Sequence, residues 1–203
     1  MKIFCVGRNY SEHAKELGND VPDEPVIFMK PKSALLQSHT PFYYPEFSNE
    51  LHYEVELVLR ISKNGKYINE RHASKYYNGI TVGIDFTARD IQQELKKKGL
   101  PWEKAKAWDN SAVVGTWKDI TPDILRKPTK FSLLKNGEKV QEGITTDMIF
   151  KFDEIIAHIS NYFSLNIGDL IYTGTPAGVG ECVVGDILTG YFESDKMFEV
   201  EVK

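Results

Sequence analysis

Residues Leu51–Ile61 read Leu-His-Tyr-Glu-Val-Glu-Leu-Val-Leu-Arg-Ile. The stretch alternates, with Leu51, Tyr53, Val55, Leu57, Leu59 and Ile61 on one side and His52, Glu54 and Glu56 on the other. A period of two over this length predicts a β-strand. Glu54 and Glu56 then project side by side and repel each other unless something positive lies between them. A divalent cation such as Mg²⁺ or Mn²⁺ meets that need, because both favour carboxylate oxygens and leave coordination positions to water or a small molecule. Asp85, closing a second apolar run over Gly79–Phe86, offers a third carboxylate. Taken by itself, Glu-x-Glu is more simply the solvated face of an antiparallel sheet. Its companions along the chain decide.

Before this stretch, Lys2–Val6 and Val26–Lys30 read as short strands. Between them Ser11 can cap a short helix that runs to Leu17 and stops at Gly18-Asn19. His13 and Glu16 share a face of it, three residues apart. With chiefly Ala14 and Leu17 to bury, that helix suits a lid better than a core element. After the stretch, Asn64-Gly65 predicts a hairpin turn, and Glu70–Tyr77 a short helix. Thr87 is placed to cap a helix over Ala88–Lys98 that ends at Gly99. Lys106 lies between Trp102 and Trp108, where its ammonium, partly desolvated, can point at an anion; a snorkelling surface lysine is the plainer alternative. Hairpins are predicted across Asn136-Gly137 and around Ser194-Asp195-Lys196, and an amphipathic helix over Phe152–Phe163. The glycines of Thr173–Gly180 follow a strand but match neither a P-loop nor a dinucleotide fingerprint. They free backbone N–H groups to approach an anion, and Thr175 can bind a carboxylate through hydroxyl and backbone. A tight structural turn explains the glycines equally simply.

The 203 residues, 41% hydrophobic and 27% charged, are expected to form one domain over 1–203. A net charge of −4 without a basic run argues against nucleic acid or an acidic membrane as partner. No apolar run has transmembrane length, and Met1–Val6 is too short for a signal peptide. A cytoplasmic location is expected. Cys5 and Cys182 match no metal spacing and read as buried free thiols. Short strands dominate, so the expected class is α+β, a closed or sandwich-like sheet with helices at its rim.

Taken in order, the segments resemble the fumarylacetoacetate hydrolase family, in particular its compact acylpyruvate hydrolases and oxaloacetate decarboxylases. The resemblance is carried by Gly7-Arg8-Asn9-Tyr10 with His13 and Glu16, Phe28-Met29-Lys30-Pro31, and His52–Glu56. It continues through Gly83–Asp90, Gly99-Leu100-Pro101-Trp102 with Ala105-Lys106, Thr145–Met148, and Gly168-Asp169 with Thr173–Gly178. It implies the mixed β-roll of that family's C-terminal domain, with few peripheral helices. It implies Mg²⁺ or Mn²⁺ held by Glu54, Glu56 and Asp85, a His13–Glu16 segment that orders with substrate, and a homodimer. The chain departs from the family pattern at Trp108–Val114, where a Pro-containing turn is usual, which bears on the pocket wall beside Lys106.

The chemistry implied is hydrolysis of a C–C bond in a small 2-oxo acid of the acylpyruvate type. His13, oriented by Glu16, would activate water. Lys106 with Gln92 would hold the oxyanion, and Arg8 and Thr175 the substrate carboxylate. Decarboxylation of oxaloacetate, or isomerisation of a 2-oxo-enoic acid, needs only part of that machinery. A catalytically silent domain that binds metal or keto acid is the non-enzymatic alternative, and it has no need of a base such as His13.

Overall fold

The computed structural model describes residues 1–16, 20–121, 124 and 127–203, with the side chains of Ala14 and Lys15 outside the description. The expected end of the first helix, at Leu17 to Asn19, lies outside the described residues.

The α+β class is borne out. Strands β1 (Ile3–Gly7), β2 (Val26–Lys30), β4 (Val55–Ile61), β5 (Tyr77–Asp85), β7 (Ala112–Val114) and β11 (Leu170–Tyr172) build the principal sheet in the order β2-β1-β11-β4-β5-β7. A short β8 (Lys118–Asp119) also pairs with β5. A second sheet joins β9 (Lys130–Lys135), β10 (Glu138–Ile144), β13 (Ile187–Phe192) and β14 (Asp195–Glu201) in the order β10-β9-β13-β14. A small third sheet has β3 (Leu51–Tyr53) between β6 (Thr87–Ala88) and β12 (Gly180–Glu181). Helices α1 (Ser11–Glu16), α2 (Arg89–Lys98), α3 (Glu103–Lys106) and α4 (Phe152–Tyr162) lie around the strands.

The stretch Leu51–Ile61 is two strands, not one. It breaks at Glu54, where the chain passes from the third sheet into the principal sheet. The neighbouring strand breaks in step, β5 ending at Asp85 and β6 starting at Thr87. A backbone hydrogen bond of 2.9 Å from Asp85 N–H to Glu54 O ties the two corners together. The six apolar residues of the stretch are buried as their alternation predicts. The opposite side is buried too, because Ile3, Cys5, Val58, Ala112, Leu170 and Tyr172 form a second, smaller core on that face. Glu54 and Glu56 therefore lie inside the protein, at 6% and 2% exposure, and the solvated-face reading does not apply.

Three local expectations are corrected. Asn64-Gly65 is no hairpin turn: Gly65 bridges antiparallel to Leu165, Asn64 Oδ1 accepts from Ile167 N–H, and the connection to β5 runs through a 3-10 turn at Glu70–Lys75. Thr87 is not the cap of α2. It is a strand residue, the helix starts after Ala88, and the Thr87 hydroxyl is engaged with Lys106. The last hairpin turns at Glu193 and Ser194, since Asp195 and Lys196 already pair in β14. The Asn136-Gly137 turn forms as expected, both residues having positive φ, 54° and 85°. Both cysteines are buried and free. No described helix is long and apolar enough to cross a membrane.

Candidate metal centre and active site

The paired corners bring three acids together. One ligand oxygen each from Glu54, Glu56 and Asp85 lies within 4.8 Å of the others, and all three residues are buried. So many negative charges out of water require compensation. Lys106 Nζ supplies much of it, donating to Glu54 Oε2 at 2.8 Å, Asp85 Oδ2 at 2.8 Å and Thr87 Oγ1 at 2.6 Å. Arg89 donates to Glu54 Oε1 at 2.6 Å, to Gln92 Oε1 at 2.6 Å and to His52 Nδ1 at 3.2 Å. Lys30, only 1% exposed, sits behind Asp85 with Nζ 2.7 Å from Oδ1, and also donates to Ser111 O and Oγ and to Lys106 O. The Lys30–Asp85 pair is close but poorly angled, and Asp85 Oδ1 is left without a hydrogen bond.

Compensation is uneven. Burial works to raise the Glu54 carboxyl, but Lys106 and Arg89 outweigh it and hold the group well below the usual carboxylate range. Glu56 is pushed the other way, by burial and then by the charges of Asp85 and Glu54. Its described polar partner is one backbone donor, Gly174 N–H at 2.6 Å. Gly174 can approach so closely because it has φ of 102° and no Cβ; a Cβ there would fall 2.6 Å from that of Asn9. Three hard oxygen donors, one on a carboxylate with no ion-pair partner among the described residues and one with an unused lone pair, suit a divalent cation.

Helix α1 covers this floor. His13 is 5% exposed, and its Nδ1 lies 3.4 Å from Glu16 Oε2. Burial lowers the imidazole below its ordinary value, against weaker upward pulls from Glu54 and Glu16. Glu16 in turn accepts from Gly178 N–H, 3.2 Å from each carboxylate oxygen, so the Gly-rich turn supports α1. Thr175 on that turn is buried, and its hydroxyl accepts from Gln141 Nε2 at 2.9 Å.

One pocket is lined by Arg8, His13, Gln92, Lys106 and Thr175 together with the three acids. All nine residues singled out in the sequence therefore converge, save that Glu16 reaches the site through His13. Lys106 differs from expectation in one respect. Its ammonium has three N–H bonds, all directed at Glu54, Asp85 and Thr87, so none points at a substrate oxyanion here. Gln92 spends its carbonyl on Arg89.

Sequence reasoning assigned no role to Lys30, Arg89 or Gln141. Lys30 ends an apolar strand, where a lysine ordinarily reaches solvent. Arg89 was legible only as a neighbour of Asp85 in sequence. Gln141 sits at a β-bulge, and such a register shift has no sequence signal here. Its amide accepts from Val55 N–H at 2.9 Å and donates to Thr175 Oγ1 and Pro176 O. One side chain thus pins the strand between Glu54 and Glu56 to the Gly-rich turn.

Residues 2–202 match the fumarylacetoacetate (FAA) hydrolase C-terminal family. The chain belongs to this family. It is 43% identical over 199 residues to oxaloacetate tautomerase YcgM of Escherichia coli (strain K12), covering 97% of this chain and 90% of that protein. It is 40% identical over 206 residues to the mitochondrial oxaloacetate decarboxylase of Dictyostelium discoideum, covering 98% and 93%. Its fold superposes on fumarylpyruvate hydrolase from Pseudomonas aeruginosa in complex with Mn²⁺ and pyruvate, with a TM-score of 0.94 and 35% identity, covering 100% of this chain and 89% of that one. These relatives are enzymes, and the chain is an enzyme of the same fumarylacetoacetate hydrolase family.

Proposed function

We propose that this family member acts on a small 2-oxo acid at the Glu54–Glu56–Asp85 centre, and that its main reaction is proton transfer at the carbon next to the keto group, as in tautomerisation of oxaloacetate. The observation that carries the reading is a buried His13 with a depressed pKa, poised over three acids suited to a divalent cation. Glu54, Glu56 and Asp85 would hold the ion, Mg²⁺ or Mn²⁺, which when bound supplies Lewis acidity toward the keto acid's oxygens. The identity to an oxaloacetate tautomerase brings proton transfer ahead of the hydrolysis expected from sequence.

The residues divide the work. Glu16 accepts from His13 Nδ1–H, which leaves Nε2 as the base. Nε2 takes a proton from C3, and the imidazolium returns it, directly or through water, to the 2-oxo oxygen as the enol forms; the reverse steps restore the keto acid. Gln92, its carbonyl fixed by Arg89, presents its amide N–H₂ to that oxygen. Thr175 makes a deep contact with a substrate carboxylate and Arg8 a shallow one. Lys106 and Arg89 keep Glu54 ionised, and Lys30 and Lys106 pair with Asp85.

A second reading, hydrolysis of an acylpyruvate, is favoured by the same His13–Glu16 pair, which suits activation of water. His13 would take a proton from water, the hydroxide would add to the distal carbonyl, and the C–C bond would break with C3 gaining the proton. The products are pyruvate and a carboxylic acid. Assembly as a homodimer belongs to the same reading and rests on the family resemblance alone; the cytoplasmic location expected from the sequence is proposed beside it.

The test follows decay of enol oxaloacetate, and pyruvate release from acetylpyruvate and from oxaloacetate, with Mg²⁺ or with chelator. Metal-dependent acceleration of enol decay is expected to exceed pyruvate release. Faster release from acetylpyruvate would move hydrolysis to first place, and turnover that survives chelation would end the metal-dependent reading.

A further inference from the structure

Two neighbours across one strand pair hold the two cations that meet on Glu54. His52 of β3 stands opposite Thr87 of β6. The Thr87 hydroxyl accepts from Lys106 Nζ, which also donates to Glu54 Oε2. His52 Nδ1 accepts from Arg89 Nε, and Arg89 reaches Glu54 Oε1 through Nη2. The other ring nitrogen of His52, Nε2, lies 3.0 Å from Glu50 Oε1, a carboxylate at the protein surface. A run of polar contacts thus leads inward from Glu50 through His52 and Arg89 to Gln92, whose Oε1 accepts from Arg89 Nη1 at 2.6 Å.

The donors and acceptors along this run admit one arrangement. A guanidinium only donates. Arg89 therefore demands a bare Nδ1 on His52 and the carbonyl end of Gln92. A neutral imidazole with a bare Nδ1 carries its proton on Nε2, where Glu50 accepts it. Gln92, its carbonyl taken, is left with its amide N–H₂ for the pocket that it lines. Arg89 is only 4% exposed, so water is no substitute partner for its Nε–H. Acceptors on all three of its nitrogens fix the guanidinium plane. Without His52 both remaining partners lie on the Nη side, and the plane can tilt about them. Glu50 is held in turn. Its backbone oxygen accepts from Arg89 N–H at 2.7 Å, and Asp90, next on the helix, accepts from Ser48 Oγ and Asn49 N–H. The loop before β3 and the first turn of α2 clamp His52 between them.

We infer that His52 is a positioning residue for proton transfer: it holds the plane of Arg89, which aims the Gln92 amide at the oxygen that gains charge as the enol forms. The inference rests on the proposed 2-oxo acid reading, and it gives His52 no contact with substrate. An oxygen that becomes negative only on the way to the enol draws most from Gln92 in the transition state. A misaimed amide therefore costs rate rather than affinity.

The test joins spectroscopy to kinetics. In protein labelled with ¹⁵N-histidine, long-range ¹H–¹⁵N correlation spectra should show His52 with a bare Nδ1 and a protonated Nε2, its signals identified by their loss in His52→Asn. With Mg²⁺ and enol oxaloacetate, His52→Leu should lower kcat roughly ten- to hundredfold, the usual cost of removing a partner one bond behind a working group, and leave KM within about threefold. His52→Asn, whose Oδ1 stands where Nδ1 stood, should restore most of kcat. In a Gln92→Met background, His52→Leu should cost at most about a further twofold, because a misaimed amide and a missing one are the same loss. Mn²⁺ affinity, followed by electron paramagnetic resonance, should be unchanged in His52→Leu. A proton on Nδ1, additive losses in the double variant, no rescue by His52→Asn, or Mn²⁺ affinity that falls in step with kcat would overturn the inference. The tautomer is read on the unaltered protein, so a His52→Leu chain that does not fold leaves that arm decisive. Failure of the reaction reading looks different: the unaltered protein would turn over neither oxaloacetate nor acetylpyruvate while His52 keeps the expected tautomer.

Discussion

The floor and the cover of the pocket are held in opposite ways. At the floor, Glu54 and Asp85 are fixed by Lys106, Arg89 and Lys30 through contacts of 2.6 to 2.8 Å, on strands buried on both faces. At the cover, α1 has six residues, His13 and Glu16 meet within it at 3.4 Å, and Glu16 ties it to the Gly-rich turn through shared bonds of 3.2 Å from Gly178 N–H. Glu16 keeps 35% of its side-chain surface in water. A cation site needs donors that do not move. A cover that must admit and release a small acid needs contacts weak enough to open. The difference teaches that one chain gives rigidity to charge and leaves mobility to the base.

Breaking the cover should spare the fold and cost rate. His13→Ala is expected to lower proton transfer and hydrolysis by roughly two to four orders of magnitude, the usual worth of a general base. Oxaloacetate decarboxylation should fall less, measured as pyruvate release beside enol decay. Equal losses in all reactions would mean that the base is not on α1.

Breaking the floor should cost stability. Lys106→Met leaves Glu54 and Asp85 buried with part of their compensation gone, and about 3–5 kcal/mol should be lost in denaturant unfolding. A loss below about 1 kcal/mol would show that water reaches these acids and that the floor is not dry. Gln141→Met tests the tie between floor and cover. It strands Val55 N–H and frees the Thr175 turn, for an expected loss of about 1–3 kcal/mol, with weaker metal binding as the sharper sign. Unaltered metal binding would limit Gln141 to packing.

The smallest effect expected is a shift in pH dependence. A base must be neutral, and burial lowers the His13 imidazole from 6.5. The fall in kcat/KM on the acid side should therefore lie below pH 6.5, as the imidazole gains its proton only under that value. A limb at or above 6.5 would show His13 to be solvated in the working enzyme.

Much of the floor was legible from sequence because strand periodicity places Glu54 beside Glu56 and an apolar run delivers Asp85. What periodicity could not show was the break at Glu54, where two strands change sheets together. That break turns a solvated-looking face into a buried one. Lys30 was opaque for a related reason, and Lys106, though singled out as a desolvated lysine, could not be matched in sequence to its anions Glu54 and Asp85. A lysine's burial depends on partners distant in sequence, here Asp85, which lies 85 − 30 = 55 residues from Lys30 and 21 from Lys106. The Asn136-Gly137 turn was readable because its positive φ values are a local demand, whereas Asn64-Gly65 is claimed by a distant partner, Leu165. Gln141 belongs with the lysines, its importance set by the strand and turn it joins.

The central claim is that three acids from the two paired corners bind one divalent cation. Titration of the metal-stripped protein with Mn²⁺, followed by electron paramagnetic resonance, tests it most directly. A saturable site that disappears in Glu56→Gln while circular dichroism stays unchanged is the predicted result. No saturable site, or one that Glu56→Gln leaves intact, would contradict the account.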